Sequence, residues 1–317
     1  MNEEGLRLLR RSALRVRRSA AWLRTEEVPP AQGDFLRFLG TGGNPSGVIG
    51  QRRRTGGIWL SLGGKRIALD PGPGAAFHAA RSGLDARGLD AVLISHGHTD
   101  HYMDAPALIE GMCRGMSRRG GLLCLPREAL ALGLIGRYHL GLDPVPWYPG
   151  GPVVTPWEDG REVALGPVTL TPFRVHHGPE NYGITFAYAG RRIVYSSDTS
   201  YVLLYEDEFG KSLAPRPGEP LPAPRAITQV REDVLAPFFG ADLAILNVSF
   251  FWQHAHRHLT AMGAADLLRR AGVRKAIITH FDRSAAPDAA AIARYVAQES
   301  GADVVAARDG MQLPFGT

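Results

Sequence analysis

Three histidines and an aspartate crowd into residues 96–101, in the order His-Gly-His-Thr-Asp-His. The run directly follows a short apolar segment that predicts a buried strand. Imidazole nitrogens and carboxylate oxygens are the ligands that borderline divalent metals prefer, and the turn after a strand lets side chains converge. His96 and His98 can serve one metal ion from alternate positions, whereas Asp100 and His101 point elsewhere and can serve a second. We therefore predict a metal site around this run.

Further metal-binding side chains follow other predicted strands at the point where each strand ends. His176 and His177 close one strand, Asp198 closes another, and His280 closes a third near the end of the chain. Any one of them alone is weak evidence, because polar residues are common at strand ends. Their recurrence at one kind of position is stronger, since loops at strand ends are where rigid scaffolds place functional residues. We expect such side chains to complete the metal site.

The composition is typical of soluble globular proteins. Of the 317 residues, 44% are hydrophobic and 21% are charged, which suits one large domain or two ordinary ones. Cys113 and Cys124 are the only cysteines, which excludes a disulfide framework and a cysteine-based zinc site and suits a reducing cytoplasm. With no secretory signal and no apolar run of the roughly 18 residues that span a membrane, we predict a cytoplasmic protein. The net charge of +5 weakly favours an anionic substrate.

The order of the predicted elements favours an α/β sandwich. Strands come in consecutive pairs early in the chain and alternate with helices later, which is typical of packed sheets with helices outside them. We expect strands at 35–39, 58–62, 65–69, 91–94, 168–175, 184–188, 192–195, 243–246, 275–279 and 303–305, and helices at 102–117, 127–136, 230–238, 260–271 and 287–298. Residues 34–317 are assigned to one domain of this kind.

Two segments depart from this pattern. Residues 1–33 form a basic N-terminal extension whose first 24 residues predict an amphipathic helix. This helix is either an arm for nucleic acid or a membrane surface, or a helix packed on the domain's own surface or a frayed tail. Residues 200–229 include five prolines between Pro215 and Pro224 and predict a proline-rich loop insertion. It follows Asp198, so it is either a lid over the site or a passive surface excursion.

The run 96–101 resembles the His-x-His-x-Asp-His signature of the metallo-β-lactamase superfamily, and the other segments follow in that superfamily's order over about residues 34–315. The resemblance implies a four-layer αββα sandwich and a dinuclear metal site. One ion would be held by His96, His98 and His177, and the other by Asp100, His101 and His280, with Asp198 bridging the two. Asp70 would orient the site. His176 remains an alternative to His177 as a ligand.

Three further segments are similar to ribonuclease Z and related phosphodiesterases. They are Phe38-Leu39-Gly40-Thr41-Gly42, His258-Leu259-Thr260-Ala261 and Ile278-Thr279-His280-Phe281. By this resemblance His258 is the catalytic general acid, acting beside Asp100 and Asp198. The alternative is that His254, His256 and His258 form a polar cluster that faces solvent.

The resemblance implies a phosphodiesterase that acts on RNA, a cyclic nucleotide or a short oligonucleotide through a metal-bound hydroxide. Two divalent ions are implied, with Zn²⁺ as the default and Mn²⁺, Fe or Ni²⁺ open. Bacterial ribonuclease Z carries a long arm before the bridging aspartate, whereas twenty residues separate His177 from Asp198, so a small phosphodiester suits this chain as well as RNA does. A lactone, thioester or β-lactam hydrolase is the alternative, followed by a non-catalytic nucleic-acid-binding module. Dimers are common in this branch, so a homodimer is one expectation.

Overall fold

A computed structural model describes residues 33–142, 148–217, 219, 221–222 and 224–315. The amphipathic helix predicted for residues 1–24 lies outside the described residues. The helices are α1 Asn44–Gly50, α2 Ala75–Arg81, α3 Thr99–Tyr102, α4 Ala105–Met112, α5 Arg127–Ala131, α6 Glu232–Leu235, α7 Ala261–Ala271 and α8 Ala289–Ser300. Of these described helices, none combines the length and the apolar character that crossing a membrane requires.

The strands form two large sheets and one small sheet. They are β1 Phe35–Phe38, β2 Ile58–Leu62, β3 Lys65–Leu69, β4 Ala91–Leu93, β5 Arg119–Leu125, β6 Gly151–Pro156, β7 Val163–Leu165, β8 Val168–Arg174, β9 Tyr182–Tyr188, β10 Arg191–Tyr195, β11 Val202–Asp207, β12 Ser212–Leu213, β13 Pro224–Val230, β14 Leu243–Asn247, β15 Lys275–Thr279, β16 Asp303–Ala306 and β17 Gln312–Pro314. The first seven-stranded sheet has the order β17-β1-β2-β3-β4-β5-β6, and the second has the order β16-β15-β14-β10-β9-β8-β7.

Each large sheet combines an antiparallel part with a parallel part. In the first sheet β3, β4, β5 and β6 run parallel, and in the second β10, β14, β15 and β16 do. The antiparallel pair β2–β3 closes through Gly63 and Gly64, whose φ angles of 56° and 74° permit the tight turn that a two-residue hairpin needs. Parallel strands deliver their carboxyl ends to the same edge of a sheet, which gathers the following loops there.

Three apolar clusters separate four layers. Leu60 of the first sheet and Phe186 and Ile245 of the second belong to the cluster between the sheets. Ile109 of α4 belongs to the cluster on the outer side of the first sheet. Leu268 of α7 belongs to the cluster on the outer side of the second sheet, which α8 also joins. Because helices cover both outer faces, the architecture is the expected four-layer αββα sandwich.

The segment 200–229 is not the loop that its prolines suggest. Among its described residues, β11, β12 and β13 form a small antiparallel sheet in the order β12-β11-β13. The reason is that Val202, Tyr205 and Val230 are buried in the outer cluster of the second sheet, which stabilises strands of β-branched and aromatic residues. Most of the prolines fall between β12 and β13, and Pro224 is the first residue of β13, where a proline is tolerated.

Other differences have local causes. The helix expected at 102–117 is shorter and corresponds to α4, which begins at Ala105 because Pro106 lies in its first turn and favours a helix start there. The separate short helix α3 precedes it and ends at Tyr102. The strands β5, β6, β7 and β17 were not expected. Glycine or proline occurs in three of them, at Gly120, Gly151 and Pro314, and these residues weaken the strand signal in the sequence.

Candidate metal centre

Loops from both large sheets meet at one edge of the sandwich. The run 96–101 follows β4, His177 follows β8, Asp198 follows β10 and His280 follows β15. These side chains form groups of three that share members, and within each group the ligand atoms lie within 4.8 Å of one another. The structure therefore brings together every residue that the sequence predicted as a metal ligand.

The ligand atoms form two triads. In the first triad, His98 Nδ1 lies 3.0 Å from His96 Nε2 and 3.1 Å from His177 Nε2. The second triad is formed by Asp100, His101 and His280. In it, His280 Nε2 lies 3.1 Å from His101 Nε2 and also 3.1 Å from Asp100 Oδ2. Each triad has the size of a coordination sphere for one metal ion.

The carboxylate of Asp198 lies between the triads. Its Oδ2 is 3.7 Å from His177 Nε2 in the first triad and 3.7 Å from His101 Nε2 in the second. Its Oδ1 is 3.4 Å from His280 Nε2. Asp198 is buried, so its charge needs compensation from cationic neighbours or from metal ions. The position suits a bridging ligand.

The far nitrogen of each buried histidine is fixed by a hydrogen bond. His101 Nδ1 donates to Asp70 Oδ2 at 2.9 Å, and His177 Nδ1 donates to the carbonyl of Arg257 at 3.0 Å. His96 Nδ1 lies 3.0 Å from Ser95 Oγ, whose own proton goes to Asp70, so His96 donates there as well.

These hydrogen bonds determine whether the Nε2 atoms, which face the centre, can bind a metal ion. A neutral imidazole that donates from Nδ1 presents a lone pair at Nε2. Lone pairs that face one another at about 3 Å repel unless a proton or a cation lies between them. The donor set therefore fits divalent metal ions, with the outer hydrogen bonds orienting the rings as they do in metalloproteins.

The charges of the cluster agree with this assignment. Burial lowers the pKa of His96 well below its ordinary value, so that ring is neutral. Burial alone would also lower the pKa of His101, but Asp100 and the other carboxylates outweigh it and raise that pKa well above the usual value. Burial would raise the pKa of Asp198, but the surrounding imidazoles outweigh it and hold the pKa well below its ordinary value. Positive charge is therefore strongly favoured at the centre.

His258 reaches the centre and His176 does not. His258 Nδ1 lies 3.9 Å from Asp198 Oδ2, and its ring packs 4.8 Å from the ring of His177. Burial lowers its pKa to about 3, with the neighbouring imidazoles contributing in the same direction. His176 instead lies with Nε2 2.5 Å from Asp233 Oδ2, on the other side of the β8 end. Of the two adjacent histidines, the geometry selects His177 for the cluster.

Part of the chain matches a known protein family. A family model described as a beta-lactamase superfamily domain matches residues 65–215, which contain the run 96–101, His177 and Asp198. This match confirms the predicted resemblance to the metallo-β-lactamase superfamily. The uncharacterized protein MJ1374 of Methanocaldococcus jannaschii is 29% identical over 181 residues, which cover 54% of this chain and 64% of that protein.

Most of the chain is also similar to ribonuclease Z. The ribonuclease Z of Bradyrhizobium sp. strain ORS 278 is 26% identical over 278 residues, which cover 78% of this chain and 89% of that protein. This similarity confirms the predicted resemblance to the ribonuclease Z-like branch of the superfamily.

Solved structures support the same fold. The metallo-beta-lactamase fold protein YhfI from Bacillus subtilis gives a TM-score of 0.64 at 18% identity, over 88% of this chain and 98% of that one. A diphosphatase from the PhnP family gives a TM-score of 0.61 at 17% identity, over 90% of this chain and 98% of that one. At such identities the likeness shows the fold.

The sequence did not predict several polar residues that support the centre. Tyr195 donates to Asp70 Oδ2 at 2.7 Å, and Asn247 donates to Asp198 Oδ1 at 2.8 Å. Ser249 Oγ lies 3.0 Å from His280 Nδ1. All three residues are buried at or just beyond the carboxyl end of a strand. Polar side chains that interrupt apolar strand ends are the sequence signal that could have found them.

A cleft of about 540 Å³ opens beside the exposed His98. Helix α1 supplies one wall with Val48 and Ile49, and Arg257 and His258 lie on another. This α1 cleft therefore borders both triads and joins an apolar surface to a cationic one. It is the candidate substrate entrance to the centre.

Proposed function

We propose that this chain is a metal-dependent hydrolase that cleaves phosphodiester bonds in RNA, a cyclic nucleotide or a short oligonucleotide. The match to the superfamily model and the ribonuclease Z relatives support a metal-dependent hydrolase in general. The observation that carries the phosphodiester proposal is the position of His258, a further imidazole that reaches the centre beside both triads.

The two triads would hold the metal ions. His96, His98 and His177 would form one ligand set, and Asp100, His101 and His280 would form the other, with Asp198 as the candidate bridging ligand. Nitrogen and carboxylate ligands at this spacing suit Zn²⁺ and also Mn²⁺, Fe or Ni²⁺. When bound, such ions supply an activated water and neutralise charge on phosphate oxygens.

His258 can act as a general acid after substrate binding, because the charge of the substrate raises the pKa of its imidazole. Its pKa of about 3 leaves the ring neutral when the cleft contains no anion. A phosphodiester carries negative charge, and a negative charge beside an imidazole raises its pKa. His258 can then hold a proton and transfer it to the leaving oxygen, which departs as a neutral hydroxyl group.

The cationic wall of the α1 cleft supports an anionic substrate. Arg257 is exposed there, and within the described part of the chain no carboxylate pairs with its guanidinium. An unpaired guanidinium at a cleft is well suited to bind phosphate oxygens. The volume of about 540 Å³ favours a substrate portion the size of a few nucleotides or fewer.

The test uses substrates that differ in their leaving group. The full chain, loaded with Zn²⁺ or Mn²⁺, is assayed on bis-p-nitrophenyl phosphate, cyclic nucleotides and an RNA oligonucleotide. We expect His258→Ala to lower kcat by roughly a hundredfold or more on substrates with an alkoxide leaving group. The loss should be much smaller with p-nitrophenolate, which departs without a proton.

Two control variants distinguish the loss of the general acid from the loss of bound metal. His280→Ala should lose bound metal and activity on every substrate, whereas His256→Ala should retain both. Absence of turnover on all phosphodiesters by the metal-loaded wild type contradicts the proposal. Hydrolysis of thioesters, lactones or β-lactams in its place would assign the site to those bonds.

A further inference from the structure

Asn44 is the first residue of α1 and lies directly over the second triad. Its backbone N–H donates to Asp100 Oδ2 at 2.7 Å. Its φ angle of 66° is in the left-handed region, which few residues other than glycine, asparagine and aspartate adopt readily. The backbone of Asn44 is therefore committed to Asp100, and its side chain is left for another role.

The side-chain amide of Asn44 lacks a partner. Its Nδ2 is buried from solvent and makes no hydrogen bond within the described part of the chain. The residue lines the α1 cleft together with His98, Asp100 and His258. A buried donor without an acceptor is costly, and in native proteins ordered water, an ion or a bound molecule often satisfies such a group. At the edge of a cleft, a bound molecule can supply the acceptor.

A capping role does not account for this side chain. Gly43 is the N-cap of α1, and no side chain caps that helix end. Of the residues that tolerate a left-handed backbone, glycine has no side-chain donor and aspartate carries an acceptor of negative charge. Asparagine combines this backbone with a neutral side-chain donor that lines the α1 cleft.

We propose that Asn44 is a substrate-binding residue whose side-chain amide donates a hydrogen bond to a non-bridging oxygen of the phosphate group. The proposal rests on the phosphodiesterase function proposed above. Arg257 contacts the same cleft from its other wall, so the two residues bind the phosphate from different directions. Asn44 contributes a neutral, directional donor beside Asp100, where a second cation would disturb the metal ligands.

Two substitutions at this position test the role of the donor. Asn44→Gly keeps the left-handed backbone and the N–H bond to Asp100 but removes the amide, and Asn44→Asp keeps the shape but reverses the polarity. Measured on the metal-loaded full chain, kcat/KM for a phosphodiester should fall about ten- to a hundredfold in the first variant and at least as far in the second. Metal content should stay that of the wild type.

A matched control lies at the other end of α1. Gln51 also has a left-handed backbone, with φ of 42°, and its amide is satisfied by Val48 and Thr55. Gln51→Gly should leave kcat/KM within about twofold of the wild type. A similarly small change in Asn44→Gly overturns the proposal, and so does a loss of metal that parallels the loss of activity.

Binding of inorganic phosphate keeps the test independent of turnover. By calorimetry, the metal-loaded wild type should bind phosphate more tightly than Asn44→Gly by about tenfold or more. If the wild type hydrolyses no phosphodiester, the proposed function is wrong. The difference in phosphate affinity between the wild type and Asn44→Gly still tests whether Asn44 binds phosphate. Equal phosphate affinity in the two proteins contradicts the role even where turnover is observed.

Discussion

At the scale of single residues, the centre depends on close backbone approach and on unusual backbone angles. Asp70, Ser197 and His280 have φ angles of 48°, 53° and 64°, each just after a strand that leads to the centre. Such conformations cost free energy and persist where the surrounding structure enforces them, which is typical of functional sites. The sharp turns direct the side chains inward instead of along the strands.

Gly43 provides a residue-scale prediction. A methyl group added at this position would lie 2.2 Å from the ring of His280, which is fixed by Ser249 and Asp100. We expect Gly43→Ala to displace the imidazole and to lower the metal content of the purified protein by about one ion per chain.

A second glycine of α1 is the control for that substitution. A methyl group at Gly47 would meet its nearest neighbours at 3.7 Å, an ordinary contact. Gly47→Ala should therefore keep full metal content, and it should stabilise the helix by roughly 0.5–1 kcal/mol. Equal metal content in both variants would show that the position of His280 does not limit binding.

At the scale of elements, the small sheet β11–β13 supports the loop that carries His258. Trp252 of this loop donates from Nε1 to the carbonyl of Pro222 at 2.9 Å, and its ring packs 5.1 Å from the ring of Tyr205. Helix α7 begins just after the loop, where Thr260 Oγ1 accepts a hydrogen bond from the backbone of Gly263. The loop is therefore held at both ends, and the insertion acts as a support.

This support predicts a specific effect of Trp252. Its side chain is 5% exposed, so Trp252→Ala should destabilise the fold by about 3–5 kcal/mol. Trp252→Phe keeps most of the packing and loses the hydrogen bond, and we expect it to lower kcat several-fold through His258 without loss of metal. Thermal unfolding, metal analysis and kinetics on a cyclic nucleotide measure the three quantities.

Phe209, in the turn between β11 and β12, is the matched control for Trp252. It lies beyond the end of β11 and is 86% exposed, so Phe209→Ala should change neither unfolding nor kcat. A comparable fall in kcat for both variants would indicate a lid that contacts substrate directly.

At the scale of the whole molecule, the predicted metal ligands come from both sheets. The run 96–101 belongs to the first sheet, and His177, Asp198 and His280 belong to the second. Metal ions bound at both triads would therefore stabilise the sandwich as a unit, by about 2.7 kcal/mol per site when free metal exceeds Kd a hundredfold. We expect a chelator to lower the unfolding temperature measured by calorimetry.

The control for chelation removes ligands from both triads. In the double variant His96→Ala, His101→Ala the chelator should cause little further shift, since no complete triad remains. An equal chelator effect on this variant and on the wild type would place the stabilising metal elsewhere.

The sequence predicts those strands and site residues whose pattern is contained within a few neighbouring residues. The run 96–101 and the apolar strands β2, β3 and β15 carry their pattern within a few residues, so their positions were predicted well. Asn247 and Ser249 could not be assigned a role, because their partners Asp198 and His280 are remote in sequence and only the parallel pairing of β14 with β10 and β15 brings them together. The cytoplasmic location and the homodimer stay predictions.

The division of the α1 cleft between separate segments has an evolutionary consequence. The metal ligands lie on loops of the sandwich, whereas the apolar wall of the cleft comes from a seven-residue helix whose Ile49 is 85% exposed. Substitutions on that helix surface can alter which molecules are accepted while the inorganic chemistry is inherited unchanged. A lineage that carries this architecture can therefore change its substrate preference through Val48 and Ile49 while it keeps the predicted metal ligands.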